Sequence, residues 1–590
     1  MASDNEQSIT PKEVAATTDT KSSNEHSEKV TEILATATAT EVGEKDAKSN
    51  DEEGKGTSPP VSKPKSTRFW LVFVSLCLSA FTANLNATIL TTVLPLIVRD
   101  LDVSANYIWI NASFAIAAAA IQPLCGQLAN IYGRRYPMLF SLLTFTLGSG
   151  ISGGATSFSM LIGGRTVQGL GAGGIILLME VIVSDLLPQR ERAQYLGIIL
   201  TTGSLAVLIG PVIGGAFGTS ATWRWCFYIS VPIGGIGFIL AALFLKLKAP
   251  KHATWTEAVA RIDFVGNGIF ITSTVSILVG LVLGGQVFPW GTYHVIVPIV
   301  LGGVGWVAFG GHQVSGVCKE PTMPPRLFSN RTSLVCFVNN FITSMLLEWT
   351  AYYLPYYFQV LKGSSQLFSS VQVLPFNVFL VPSAIITGAI LGKTGKYKPL
   401  HWAGFALFAL ASGLFSTMDE TTSTVKWVFW QFFGAFGLGS VILSILPAIQ
   451  ASLPESDVAA ATGVHAFLRS FGFVWGFTVP SLVFNNEVYR NLYLVDDPEV
   501  RAAIAAGDAY AQAHGPLLDG LTGVTKQQTL RLYAKCLQTV WYTALAFSLF
   551  GFLLVFVEKG LKLRETVQTE YGLQEEGSEE ARVESGGERS

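Results

Sequence analysis

Glu348 stands near the middle of an otherwise apolar run, Leu334–Phe358, where an ionised carboxylate has no water to solvate it. Ser344 and Tyr352 lie four residues to either side, so on a helix the three form a polar stripe. A carboxyl group so placed can take up a proton and give it back. Arg165 sits inside a second apolar run, Ser159–Ile182, with Gln168 one turn on. A guanidinium at that depth is a natural counter-charge for Glu348, and a pair that parts when the acid is protonated would link proton entry to release of a ligand. In a third run, Ala461–Phe484, His465 and Arg469 are four apart and share a face. Glu180, close to the end of its run, reads as an interface residue. Isolated charges in apolar sequence suit proton handling and ligand binding rather than hydrolysis. No HExxH, GxSxG or P-loop occurs. The six cysteines (Cys77, Cys125, Cys226, Cys318, Cys336, Cys536) show no CxxC spacing or His partner, so they read as apolar packers, with no metal and no cofactor.

The elements that hold these groups follow from composition. Half of the 590 residues are apolar and 14% are charged, against roughly 25% charged in a soluble domain. Lipid is therefore the solvent for most of the chain. A helix needs about 20 apolar residues to cross a bilayer, and fourteen runs qualify. They are Trp70–Leu90, Tyr107–Leu128, Pro137–Gly154, Ser159–Ile182, Tyr195–Phe217, Cys226–Leu245, Phe264–Leu283, Val295–Gly311, Leu334–Phe358, Ser370–Leu391, Leu400–Met418, Val425–Ala451, Ala461–Phe484 and Val540–Val557. An even number puts both tails on one side. Loops on that side carry Arg134, Arg135, Arg190, Arg192, Lys246, Lys248, Lys251, Lys319, Arg326, Arg331, Lys393, Lys396 and Lys398, which makes it the cytosolic side. Residues 1–68 and 559–590 are polar and read as disordered cytosolic tails, the second acidic. The polar opening segment predicts no cleaved signal peptide, and no basic run of the kind that suggests nucleic acid occurs.

The chain also repeats itself. Gly126…Gly133-Arg134-Arg135-Tyr136-Pro137 recurs as Gly388…Gly395-Lys396-Tyr397-Lys398-Pro399. Gln168-x-x-Gly171-x-x-Gly174 recurs as Gln431-x-x-Gly434-x-x-Gly437, and Leu187-Pro188…Glu191-x-Ala193…Gly197 as Leu453-Pro454…Asp457-x-Ala459…Gly463. Three matches in one order at nearly one offset predict two parallel halves, with spans 7 and 8 inserted between them. Transporters built of such halves bind substrate near the midplane and rock to expose it alternately.

With these motifs in place, the chain resembles the major facilitator superfamily, and within it the fourteen-spanner drug:proton antiporters common in fungi. The Gly126–Arg135 stretch looks like the superfamily's loop between spans 2 and 3. Arg165-x-x-Gln168-Gly169-x-Gly171 resembles its buried-arginine motif. Gly203…Gly210-Pro211-x-x-Gly214-Gly215 resembles the antiporter signature of drug exporters, with Gly476 where a second-half partner of Gly210 would fall. Small residues of this kind let helices approach closely. Two further stretches match, Leu85-Asn86…Leu94-Pro95 and Trp223-Arg224-Trp225 leading to Pro232. Asn86 and Asn130 stand where the family has acids, so a transported proton needs another site, and Glu348 is the best placed.

The resemblance implies an all-α polytopic membrane protein with the major facilitator fold: two six-helix bundles plus two inserted central helices, 14 spans in all. The implied domains are 69–247, 248–332 for the two linker spans, and 333–558 with an outer loop at 485–537. By analogy with the superfamily, Asn84, Asn86, Arg165, Gln168, Glu348, Tyr352, Tyr353 and Gln431 line the cavity, joined by His465 and Arg469. Gly126, Gly133, Arg134, Gly203, Gly210, Pro211, Gly214 and Gly215 serve conformational change. The implied function is export of small amphipathic organic compounds (drugs, toxins or secondary metabolites), probed against two rivals: proton-coupled uptake of a siderophore or amino acid, and a sensor on a transporter scaffold. The expected partners are a small-molecule substrate, the proton and membrane lipid, in a monomer placed in the plasma membrane or an internal one such as the vacuole.

Overall fold

The computed structural model describes residues 65–101, 109–247, 255–285, 287–318, 320–505, 518 and 520–564. Its long helices fall where all fourteen apolar runs lie. In the first half they are α1 (Thr67–Thr88), α2 (Trp109–Tyr132), α3 (Arg135–Gly153), α4 (Phe158–Leu186), α5 (Gln189–Ser220) and α6 (Ser230–Phe244). A linker pair follows, α7 (Phe264–Leu283) and α8 (Tyr293–Val314). The second half holds α9 (Arg331–Val360), α10 (Gln366–Thr394), α11 (Lys398–Phe415), α12 (Thr424–Ala451), α13 (Val458–Asn491) and α14 (Gly523–Leu554).

Twelve of these helices are long and apolar enough to cross a membrane, α6 when joined to the turn that precedes it (Trp225–Phe244); α3 and α11 are not among them. Both open on polar first turns, Arg135-Tyr136-Pro137 and Lys398-Pro399 with His401, which shortens their apolar length. The count of fourteen spans therefore stays an expectation. The Lys248 and Lys251 of the loop before α7, Lys319, and residues 506–517 of the outer loop lie outside the described residues.

The helix ends obey local chemistry that the two halves share. Ser66 caps α1 by accepting from Phe69 N–H, and Asn330 caps α9 by accepting from Thr332 N–H. Gly133 and Gly395, equivalent in the repeat, take φ of 77° and 62°, a backbone region that side chains avoid, and each turns the chain sharply into the next helix.

Packing reproduces the repeat helix by helix. In the first half α3 packs on α4, α2 on α4, α1 on α5 and α6, and α3 on α6. Eight helices on, α11 packs on α12, α10 on α12, α9 on α13 and α14, and α11 on α14. The halves meet reciprocally, α2 against α13 and α5 against α10. A self-complementary joint of this kind is what a pseudo-twofold axis between parallel repeats requires.

The linker pair docks on this joint, α7 touching both α2 and α13. Asp263, just ahead of α7, anchors it by accepting from Gly266 N–H at 2.8 Å and the Gln313 amide at 2.7 Å, with the His312 ring 2.9 Å away. Gln127 of α2, next to Gly126, accepts from Asn267 of α7 at 2.8 Å. Burial penalises the Asp263 charge, but the His312, Gln313 and Gly266 contacts outweigh it and hold the carboxyl below its ordinary value. A depressed folded value means that the anchor contributes fully above the ordinary carboxylate range and is lost as pH falls through the folded value.

Candidate functional site

Arg165 is fully buried in the first half, and its partners all belong to that half. Its Nε donates to Ile110 O at 2.9 Å, and its Nη1 to Asn86 Oδ1 and Gln168 Oε1, each at 2.7 Å. The guanidinium lies over the Phe114 ring, 4.3 Å from its centre. Gln168 passes the chain on to Ser149 Oγ at 2.7 Å, and Asn86 to Ser230 Oγ at 3.0 Å. Asn86, Arg165 and Gln168 thus come together, as a closed polar knot tying α1, α2, α3, α4 and α6. Pairing of Arg165 with Glu348 does not occur. Three oxygens and an aromatic face of its own half already satisfy the guanidinium, and none carries the opposite charge.

Gln431, equivalent to Gln168, is also buried but does another job. Its amide bonds Gln372 O at 2.9 Å and Phe376 N–H at 3.0 Å, which are one helical turn apart on α10. The side chain is thereby inserted into the α10 ladder beside Pro375, clamping α12 to α10.

Glu348 is half-buried on α9 and has no hydrogen bond or ion pair among the described residues. Close approach of α13 shapes its surroundings. A Cβ on Gly476 would lie 2.3 Å from Met345 O and 2.7 Å from Glu348 Cβ, and one on Gly472 2.7 Å from Phe341 O. The first half repeats this seam between α1 and α5: a Cβ on Gly203 would meet Asn84 Nδ2 at 2.9 Å, and one on Gly210 Thr88 Oγ1 at 2.3 Å. Gly214 is buried, while Gly215 has open space beside it. The Pro211 side chain lies outside the described atoms. Tyr352, one turn past Glu348, is 42% exposed with its ring against Phe477.

His465 and Arg469 do not face Glu348 but the other half. Arg469 Nη1 lies 2.5 Å from Glu180 Oε1 of α4, and His465 Nδ1 3.3 Å from Glu180 Oε2 without an aligned hydrogen bond. Beside them Ser470 Oγ donates to Gln122 Oε1 of α2 at 3.2 Å. Glu180 is thus part of the joint between halves, a partnership that spacing along the sequence gives no sign of.

Towards the end where α1 begins and α14 finishes (the tail end), the repeat motifs themselves close the joint. A Cβ on Gly126 would lie 3.3 Å from Ala459 O and 3.5 Å from Gly463 Cα; one on Gly388 would lie 3.1 Å from Gln194 and 3.3 Å from Ala193. Ala193 and Ala459 are equivalent in the repeat, so each half offers one glycine and receives the other's. Arg192 crosses the joint to Gln450 Oε1 at 2.7 Å and Glu455 at 3.2 Å. Arg564 reaches Glu455 at 2.8 Å, while its N–H donates to Gln189 of α5 at 3.0 Å. The second tail therefore starts later than its polarity predicts: residues 559–564 are docked. The repeat extends further, since Lys65 pairs with Glu191 at 2.9 Å and Arg326 with the equivalent Asp457 at 2.7 Å.

Arg134 finds an acid although Asn130 is neutral. Its Nε lies 2.6 Å from Asp185 Oδ2 on α4, both side chains 2% exposed. Asp185→Ala would leave that guanidinium buried without its counter-charge, a loss of about 3–5 kcal/mol. A clear fall in melting temperature of the purified variant is expected; an unchanged melting temperature would show the pair to be dispensable.

One buried trio has ligand types suited to a metal, Cys336, His401 and Glu558, with donor atoms within 4.8 Å of one another. Its carboxylate is already taken by His401 Nδ1 at 2.8 Å and Asn339 Nδ2 at 3.2 Å, which fix the chain leaving α14.

Comparison with known proteins agrees with this architecture. The model of the Major Facilitator Superfamily matches residues 76–477. The chain is 51% identical to the MFS efflux transporter aclA of Aspergillus oryzae, over 87% of this chain and 93% of that protein. It is 42% identical to the MFS-type efflux pump LUC4 of a Fusarium species, over 91% and 95%, and 42% identical to the efflux pump FUS6 of Gibberella fujikuroi, over 90% and 96%. Among solved structures, the human organic anion transporter MFSD10 aligns with a TM-score of 0.53 at 15% identity, over 83% of this chain and all of that one. The proton:xylose symporter XylE aligns with a TM-score of 0.50 at 14% identity, over 85% and 98%. At such identities the structures speak for the fold alone, while the family match and the fungal relatives cover nearly all of the membrane domain. The chain belongs to the major facilitator superfamily, whose members are integral membrane transporters rather than enzymes.

Proposed function

We propose that this protein exports small amphipathic organic compounds, such as secondary metabolites, toxins or drugs, by proton antiport with alternating access. The relatives named as efflux pumps support the direction. The observation that carries the mechanism is the reciprocal joint: α2 on α13 and α5 on α10, drawn tight at the tail end by Gly126 and Gly388. Rocking about that joint opens one end as it closes the other. Glu348, half-buried and without a partner among the described residues, is the carrier of the proton, since Asn86 and Asn130 hold none.

Inside-out vesicles with an acidified lumen are expected to accumulate a fluorescent amphipathic compound, and a protonophore to reduce that accumulation about tenfold. Accumulation indifferent to the protonophore would overturn the coupling.

Both tails face the cytosol in this reading, and the plasma membrane is the most natural location for export. A cysteine placed at Val524 in intact cells is expected to react with an impermeant thiol reagent, and one at Ser578 only after permeabilisation. The opposite pattern would invert the topology.

A further inference from the structure

Resting on the export reading, we infer that the exported compounds carry an anionic group, and that Arg469 and His465 receive it when the joint opens at the tail end. In the closed arrangement their acceptor is internal. Glu180 Oε1 lies 2.5 Å from Arg469 Nη1, and Glu180 Oε2 lies 3.3 Å from His465 Nδ1. Among the described residues, the charged or titratable groups in contact with Glu180 are these two, both from α13. From α2 the joint receives Gln122, and from α9 Asn340, which donates to His465 O at 2.7 Å.

Glu180 belongs to the first half and its two partners to the second, so opening the joint parts them. The basic pair then faces the opened cavity without its carboxylate. A guanidinium and an imidazole held among apolar helices require another acceptor.

Two observations mark the place as a receiver of anions rather than an inert bridge. Arg469 keeps 21% of its side chain exposed while Glu180 keeps 7%, so the guanidinium has an open side even when paired. The joint also holds an open donor, since Gln122 Nε2 of α2 is buried without a hydrogen-bond partner among the described residues. A carboxylate accepts in two directions at once and matches the guanidinium fork. When the tail end closes, Glu180 returns to Arg469 and displaces the compound's own anion. The compound is then released towards the other end, which is the direction of export.

The test compares two ligands, dansyl-aminoundecanoic acid and its methyl ester, which differ in the negative charge and one methyl group. Binding is measured by fluorescence on the purified full-length protein in nanodiscs, with no proton gradient. Glu180→Gln removes the internal competitor and is expected to tighten binding of the acid about tenfold, with the ester shifting less than about twofold. Arg469→Gln is expected to weaken the acid about tenfold with the same small effect on the ester, and Arg469→Lys to recover part of the loss. Equal shifts for acid and ester in either variant, or no binding of the acid to any form, would overturn the inference. Because no gradient is applied, such a failure leaves proton coupling standing. Accumulation in vesicles that ignores the protonophore would instead remove the coupling and leave the anion site.

Discussion

Gly210→Leu is expected to abolish export while the protein still reaches the membrane. A single Cβ at this position would stand 2.3 Å from Thr88 Oγ1, closer than carbon can approach, and 3.2 Å from Ile89 N, tighter than most carbon contacts. Thr88 could rotate away, but the Ile89 backbone could not, and α5 would have to leave α1. Overpacking of this kind costs about 1–3 kcal/mol, small enough for assembly and large enough to lock a joint that must move. The same seam in the second half, Gly472 and Gly476 against α9, shows that the close approach is built into both halves. Surface expression near that of the parent with transport at background is the expected pair of readings. Normal transport by Gly210→Leu would show that the α1–α5 contact has no mechanical role.

Glu348→Gln is expected to uncouple transport from the proton gradient. Glutamine keeps the shape of the side chain and its capacity for hydrogen bonds, but it cannot gain and lose a proton. Glu348 has no counter-charge among the described residues, so the substitution breaks no ion pair there and should leave the fold intact. Accumulation in acid-loaded vesicles should fall about tenfold, to the level seen with a protonophore, while exchange of labelled for unlabelled substrate without a gradient continues. Full gradient-driven accumulation by this variant would show that the proton travels elsewhere. In that event Glu180, a buried acid at the joint between the halves, would be the next group to replace.

The comparison of sequence and structure turns on which information is local. Apolar runs, their caps and their glycines are local, and they located the helices. Gly133 and Gly395 show this well, since a tight turn after a membrane helix needs a residue that tolerates positive φ, and the repeat marks both. The repeat also went beyond local structure. Because equivalent helices must pack equivalently, Gly126 against Ala459 and Gly388 against Ala193 follow once the two halves are recognised. The two helices outside the twelve, α3 and α11, are likewise equivalent, and their basic, proline-bearing first turns are visible in the motif itself.

The partners of the charges were not local. Arg165 and Glu348 sit at comparable depths in their runs, and depth alone cannot say that the Arg165 guanidinium meets Asn86 Oδ1 at 2.7 Å before any acid. Glu180 and Arg469 are 289 residues apart and lie in different halves, so their contact depends on how far the joint is closed. Arg564, at the start of a polar tail, is held because Glu455, Leu453 and Gln189 converge beneath the closed joint. The length of an apolar run is written in each segment and indicates what is helix and what is membrane. A charge falls off over a few ångströms in its effect on a partner, and ångström distances between helices exist only once the tertiary structure has formed.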